Sequence, residues 1–191
     1  ITATSGNDSS GMETVIATGN IIGPNGQDNA WDITGVNQVV FLGTTFIGMN
    51  AVVGGDQVDT FTLEDGGKLT GTMGIDGGAG ANVIQSVGNA TWNVTGGTTG
   101  SITTTAGPTT FTNIEDLSGG SGTDNFILSD GVVFAGPIDG GAGVDTLDLS
   151  AYTTDRSVLL TSSGANGLGG TEASIAGGFT KMDVVMAPAA T

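Results

Sequence analysis

The sequence predicts an all-β fold: a parallel β-solenoid or β-roll of stacked coils, with β-sandwich repeats as the alternative. Three observations predict it. Glycine-rich turns recur at near-regular spacing, short segments between them alternate with the two-residue period of a strand, and an internal repeat runs through most of the chain. No segment carries the apolar stripe of an amphipathic helix.

The strand segments are Asp59-Thr60-Phe61-Thr62-Leu63, Asp124-Asn125-Phe126-Ile127-Leu128 and Asp145-Thr146-Leu147-Asp148-Leu149. Threonine, valine and isoleucine dominate around them, and Gly-Gly or Asp-Gly pairs punctuate. Segments this short cannot bury a face alone, whereas stacked coils can.

The repeat is explicit. Thr45, Phe46, Gly54, Gly55, Asp59, Phe61, Leu63, Asp65, Gly66 and Gly71 return 65 residues on as Thr110, Phe111, Gly119, Gly120, Asp124, Phe126, Leu128, Asp130, Gly131 and Gly136. Ile75-Asp76-Gly77-Gly78-Ala79-Gly80 returns as Ile138-Asp139-Gly140-Gly141-Ala142-Gly143, and Trp31-x-Ile-Thr-Gly as Trp92-x-Val-Thr-Gly. The division is an eroded end of a preceding repeat over 1–28, copy one over 29–88, copy two over 89–152 and a truncated third over 153–191. A pattern that starts and stops mid-repeat predicts a fragment of a longer array. Turns beginning at Gly35, Gly54, Gly77, Gly96, Gly119 and Gly140 predict coils of about 21 residues, three to each repeat of 61–65.

Glycine accounts for 36 of 191 residues, against a usual share of about 7%. Three basic residues, Lys68, Arg156 and Lys181, face 19 acidic ones, for a net charge of −16. That balance repels nucleic acid and anionic membrane; it suits a cation, or simply keeps an apolar repeat soluble. Cysteine and histidine are absent, which removes disulfides, thiolate sites, the commonest general base and the commonest transition-metal ligand. Any bound metal is then a hard one, calcium or magnesium. No 18-residue apolar run is present to span a bilayer. The chain opens at Ile1 without a signal peptide, so export, if it occurs, is directed from outside these residues.

The turns carry the candidate chemistry. Gly119-Gly-Ser-Gly122-Thr-Asp124-Asn-Phe126-Ile127 and Gly140-Gly-Ala-Gly143-Val-Asp145-Thr-Leu147-Asp148 fit G-G-x-G-x-D-x-U-x, with U a large apolar residue. Gly54 to Thr62 has Gln57 for the third glycine, and Gly77 to Gln85 has Asn82 for the aspartate. This pattern resembles the calcium-binding nonapeptide of the RTX proteins, large secreted bacterial adhesins and surface proteins among them. The resemblance covers about 50–150 and implies calcium held between successive turns. Asp124, Asp145 and Asp59 would supply carboxylates, and Gly119, Gly122, Gly140 and Gly143 backbone carbonyls. The pattern departs from that family in carrying its motifs singly, 21–23 residues apart, rather than back to back.

Other residues read as structural. Phe61, Ile84, Phe126 and Leu147 point inward as core, and the recurrence of Trp31 and Trp92 argues for packing. Asp65, Asp76, Asp130 and Asp139, each before glycine, are turn formers. The sequons at Asn7, Asn89 and Asn93 are at chance level in so Asn- and Thr-rich a chain.

The expected function is a calcium-stabilised structural segment, a shaft or spacer, of a large secreted or cell-surface adhesin-like protein of a bacterium or archaeon. The alternative is a segment or subunit of an extracellular filament or surface layer, assembling end to end without essential metal. Partners would be calcium and neighbouring repeats or copies of the chain, with no nucleic acid and no membrane insertion. An enzyme is not expected. Acid–base catalysis lacks its usual residues, and the acidic residues belong to repeats, whereas a catalytic site is made once.

Overall fold

A computed structural model describes residues 4–7 and 13–189. It is all-β: among the described residues there are nineteen strands and no helix, so none is long and apolar enough to cross a membrane. Residues 8 and 9 of the sequon at Asn7, and residues 1–3 and 8–12 of the first stretch, 1–28, lie outside these residues.

Two strands come first, β1 (Thr4–Asn7) and β2 (Glu13–Ile22). An antiparallel three-stranded arm follows, β3 (Asn29–Gly35), β4 (Gln38–Phe41) and β5 (Thr44–Gly55), then the short strands β6 (Asp59–Leu63), β7 (Ile75–Gly78) and β8 (Val83–Ser86). The series returns with the arm β9 (Ala90–Val94), β10 (Gly100–Thr104) and β11 (Gly107–Thr112). Behind it come β12 (Asp116–Ser118), β13 (Asp124–Leu128), β14 (Ile138–Asp139) and β15 (Thr146–Asp148). A third arm is β16 (Leu159–Gly164), β17 (Gly167–Glu172) and β18 (Ile175–Met182), followed by β19 (Val184–Met186).

Pairing arranges these strands in two ladders. One runs β1–β2–β5–β4–β3–β6–β8–β12–β14–β18–β17–β16. The other runs β2–β5–β7–β11–β10–β9–β13–β15–β19. The long strands β2 and β5 serve both, their first halves in one ladder and their second halves in the other. They join the whole into one mixed, open sheet. Outside the antiparallel arms and β1, neighbouring strands are parallel.

Parallel register stacks like side chains on like. Trp31, Phe61, Ile84, Leu117, Ile138 and Phe179 are successive partners in the first ladder, and Trp92, Phe126, Leu147 and Val185 in the second. The alternation read from Asp59–Leu63 and Asp124–Leu128 holds residue by residue, with the first, third and fifth side chains buried in each. Phe61, Ile84, Phe126 and Leu147 are fully buried, as are both tryptophans. Each such side chain contributes about 1.5–3 kcal/mol. Trp31 stacks on Phe41 at 4.0 Å between ring centroids, and Trp92 on Phe126 at 5.4 Å. Residues from both ladders form a single apolar cluster.

The even coil of about 21 residues, three to a repeat, is not what the register shows. Linked positions on successive layers are 30, 23 and 33 residues apart in one series, and 34, 21 and 38 in the other. The longer steps contain an antiparallel arm, which inserts two extra strands into a ladder before the parallel stacking resumes. The arms also alternate: β3–β5 in the first ladder, β9–β11 in the second, β16–β18 in the first again. Trp31 and Trp92 are therefore equivalent in sequence but sit in different ladders.

Candidate functional site

At four of the glycine turns, the residue that opens the next strand or immediately precedes it is polar with a buried side chain. Asp59 and Asn82 are fully buried, as is Asp124, and Asp145 is 1% exposed. Their side chains accept hydrogen bonds from backbone N–H groups of the layer before.

Two such series exist. In the first, the Asn29 N–H donates to Asp59 Oδ1 at 2.8 Å, the Asp59 N–H to Asn82 Oδ1 at 3.0 Å, and the Asn82 N–H to Glu115 Oε2 at 2.7 Å. In the second, the Ala90 N–H donates to Asp124 Oδ1 at 2.8 Å, the Asp124 N–H to Asp145 Oδ1 at 2.9 Å, and the Asp145 N–H to Asp183 Oδ2 at 2.8 Å. The two series match rung for rung. Each satisfies, at the turn-to-strand junction, a buried main-chain donor that would otherwise carry a desolvation penalty.

The second carboxylate oxygen ties the turn to its own strand. Asp59 Oδ2 accepts from the Gly55 N–H at 2.5 Å, and Asp124 Oδ2 from the Gly120 N–H at 3.1 Å. The turns also bond directly to one another: Ala79 N–H to the Gly55 carbonyl, Gly119 N–H to the Asp139 carbonyl, Gly140 N–H to the Thr180 carbonyl, and Ala142 N–H to the Gly120 carbonyl. Glycine is required by that closeness. A Cβ on Gly77 would strike the Asn113 carbonyl, and one on Gly119 the Gly140 carbonyl. Gly122 and Gly143 are likewise in contact, the Gly122 carbonyl filling the place of a Gly143 Cβ.

These positions bear directly on calcium. In this arrangement Asp59 and Asp124 each use both carboxylate oxygens on backbone N–H groups. Among the described residues no three acidic side chains converge as a metal-binding group. Asp145 differs. Its Oδ1 takes the Asp124 N–H, but its Oδ2 accepts from no donor among the described residues. It borders a small cleft with Gly141, Gly143, Asn166 and Asp183. At the equivalent rung of the first series, the Asn82 amide donates Nδ2–H to the Asn113 carbonyl at 3.1 Å. Lys181 is the counterpart of Asn113: both hold left-handed backbone, φ 57° and 54°, and each carbonyl crowds the preceding turn glycine. An oxygen thus replaces a nitrogen beside a carbonyl. Burial first, and then the charges of Asp124, Asp183 and Asp139, push the Asp145 carboxyl up to about 6. Burial also raises Asp124, with the Gly120 and Ala90 N–H groups working the other way.

Of the acidic residues read as turn formers, Asp76 and Asp139 have that geometry. Asp76 Oδ1 accepts from the Gly78 N–H and Asp139 Oδ1 from the Gly141 N–H, each two residues on. Asp139 also pairs with Lys181 at the surface. Asp130 is held below the usual carboxylate range by hydrogen bonds from the Thr153 N–H and hydroxyl, and the Asp65 carbonyl accepts from the Thr105 hydroxyl.

Sequence reasoning missed two features. Asn29, Asn82, Glu115 and Asp183 are rungs, and the Asn-for-Asp exchange at residue 82 was the available signal. An amide oxygen accepts an N–H bond as an aspartate does, but is a poorer calcium ligand. The second feature is an ion pair between the buried Glu172 of the third arm and Arg156, partly buried and just before that arm. Glu172 lies two residues beyond Gly170, which pairs with Phe179; Phe41 and Ile102 lie two beyond Val39 and Gly100, which pair with Phe46 and Phe111. In sequence, a carboxylate therefore takes the offset at which the earlier arms carry the partly buried Phe41 and the buried Ile102, with a register shift between Gly170 and Glu172. Burial opposes its charge, but the Ser174 hydroxyl and N–H and the Arg156 guanidinium outweigh that and hold Glu172 below its ordinary range. Arg156 also lies over the Tyr152 ring, 4.3 Å from its centroid.

No protein-family model, curated protein or solved structure matches the chain.

Proposed function

We propose that the chain is a structural segment, a shaft or spacer, of a large secreted or cell-surface adhesin-like protein, and that it catalyses nothing. The supporting observation is the pair of matching rung series, Asn29–Asp59–Asn82–Glu115 and Ala90–Asp124–Asp145–Asp183. The conspicuous buried acids hold backbone rather than substrate, and they do so repetitively, as a load-carrying stack requires. Two ladders visited in turn by the chain, with parallel register between layers, support a β-solenoid as the form of that stack. The high negative charge and the lack of thiols suit an extracellular setting. Protease shaving of intact source cells, read with an antibody to the chain, tests the location: the epitope is lost from intact cells. An epitope that stays protected until lysis contradicts it.

A second reading keeps calcium, at the Asp145 end of the second series. The negative charges of Asp124, Asp183 and Asp139 felt at the Asp145 carboxyl, which borders the cleft with Asp183, favour it, because a cation would relieve that repulsion. Calcium titration of the wild type and of Asp145→Asn separates the readings: a calcium-induced rise in melting temperature that the substitution abolishes supports the second.

A further inference from the structure

Asparagine followed by glycine occurs twice in the chain, at Asn25-Gly26 and at Asn166-Gly167. In such a pair the glycine nitrogen can attack the asparagine side-chain carbonyl, because glycine puts no side chain in the way. The sequence leaves the two steps alike, and the structure separates them.

Asn25 lies in the turn ahead of β3, which stacks on the turn 54–58 of the following layer. The two turns are bonded in both directions. The Gly26 N–H donates to Asp56 Oδ1 at 2.5 Å, and the Val58 N–H to Asp28 Oδ1 at 3.2 Å. The nitrogen next to Asn25 is therefore outside any strand ladder, with a carboxylate in reach of its proton. The contact is on the covered side of the turn, between layers.

Asn166 is placed otherwise. Gly167 pairs with Gly164 across the two-residue turn between β16 and β17, and a Cβ on it would strike the main chain of Lys181 and Met182. Among the described residues, no carboxylate accepts from the Gly167 N–H.

We propose that Asn25 is a site of self-modification, deamidated through Gly26 with Asp56 as the proton acceptor. The Gly26 nitrogen bonds to Asn25 Cγ as its proton passes to Asp56. The Cγ–Nδ2 bond then breaks, and ammonia leaves with that proton. Water adds to either carbonyl of the resulting succinimide, leaving aspartate or isoaspartate at position 25; nothing is oxidised or reduced. Isoaspartate adds a main-chain carbon beside Pro24, whose carbonyl accepts from Asn29 Nδ2 at 3.1 Å. Asn29 also opens the first rung series through its bond to Asp59, so the modification loosens the stack at that rung. The proposal is independent of the structural-segment reading.

Peptide mapping by mass spectrometry, with isoaspartate detection, tests this on the folded wild type held at neutral pH and on Asp56→Asn. The amide oxygen of that variant keeps the bond to Gly26 but is not a base, and circular dichroism establishes that it is folded. In the wild type Asn25 is expected to convert severalfold faster than Asn166. Asp56→Asn is expected to slow Asn25 severalfold and to leave Asn166 unchanged. In denaturant, where only sequence distinguishes the two steps, their rates should converge. An Asn25 that stays intact, an Asn166 that converts as fast in the folded chain, or an Asn25 rate unchanged by Asp56→Asn would each overturn the proposal.

Discussion

The main-chain N–H of Asp124 donates to Oδ1 of Asp145 at 2.9 Å, joining two turns that lie 21 residues apart in sequence. Asp124 is at once a donor through its backbone and an acceptor through its side chain, which takes the N–H groups of Ala90 and Gly120. The same double role falls to Asp59 in the first series.

Asp124→Ala removes the acceptor for two N–H groups, and each orphaned donor costs about 1–3 kcal/mol. A loss of about 3 kcal/mol in urea unfolding is expected. Asp124→Asn keeps the oxygen that Ala90 uses and should lose about 1 kcal/mol. Equal losses from the two variants would show that charge, not acceptance, matters at this rung.

Asp145 carries the pH dependence. Its folded value, about 6, lies above the ordinary 3.8. Between those values the folded chain holds a proton that the unfolded chain has released. Stability therefore falls as pH rises from about 4 to about 6 and is level beyond, by on the order of 2 kcal/mol. Asp145→Asn supplies the donor that Asn82 supplies in the first series. Thermal melting with chelator present should show the variant more stable than wild type at neutral pH and the acid-to-neutral decline flattened.

Glycines separate into two kinds. Gly77 has an Asn113 carbonyl where its Cβ would go, whereas Gly131 has open space but a φ of 75°. Gly131→Ala should lose about 1–2 kcal/mol from left-handed backbone alone. Gly77→Ala must push two layers apart and should lose several kcal/mol, on the scale of overpacking a core. Parallel denaturation curves compare them.

The Arg156–Glu172 pair is expected to be dispensable as a pair and costly to break. Arg156→Met alone strands the Glu172 carboxylate, for a loss of about 3–5 kcal/mol. Arg156→Met combined with Glu172→Leu should recover most of it, since Phe41 and Ile102 take that sequence offset in the other arms. A double variant as unstable as the single would point to a role for the charges beyond packing.

Much of this architecture was written locally. The alternation in Asp59–Leu63 and Asp124–Leu128 is a two-residue period, and period alone puts Phe61 and Phe126 inside. The arms were not legible in that way. The turns at Leu42-Gly43 and Ala106-Gly107 have no strong hairpin signature, and whether an arm enters the first or second ladder depends on pairing across 30 residues or more. Orientation at the turns themselves was not legible. In G-G-x-G-x-D-x-U-x the aspartate can face a cation or a row of N–H groups, and the motif is the same for both. Asn82 makes the same rung with Asp59 at 3.0 Å without a charge, so an N–H row is one orientation the motif supports.

The side-chain-to-backbone rungs are expected to hold these layers together without help from a metal. Thermal unfolding of the isolated chain, followed by circular dichroism in chelator and then in excess calcium, tests it most directly. The expected result is a folded β signal and a cooperative melt in chelator, with at most a small rise on adding calcium. A chain that lacks β signal in chelator and acquires it only with calcium would contradict the claim.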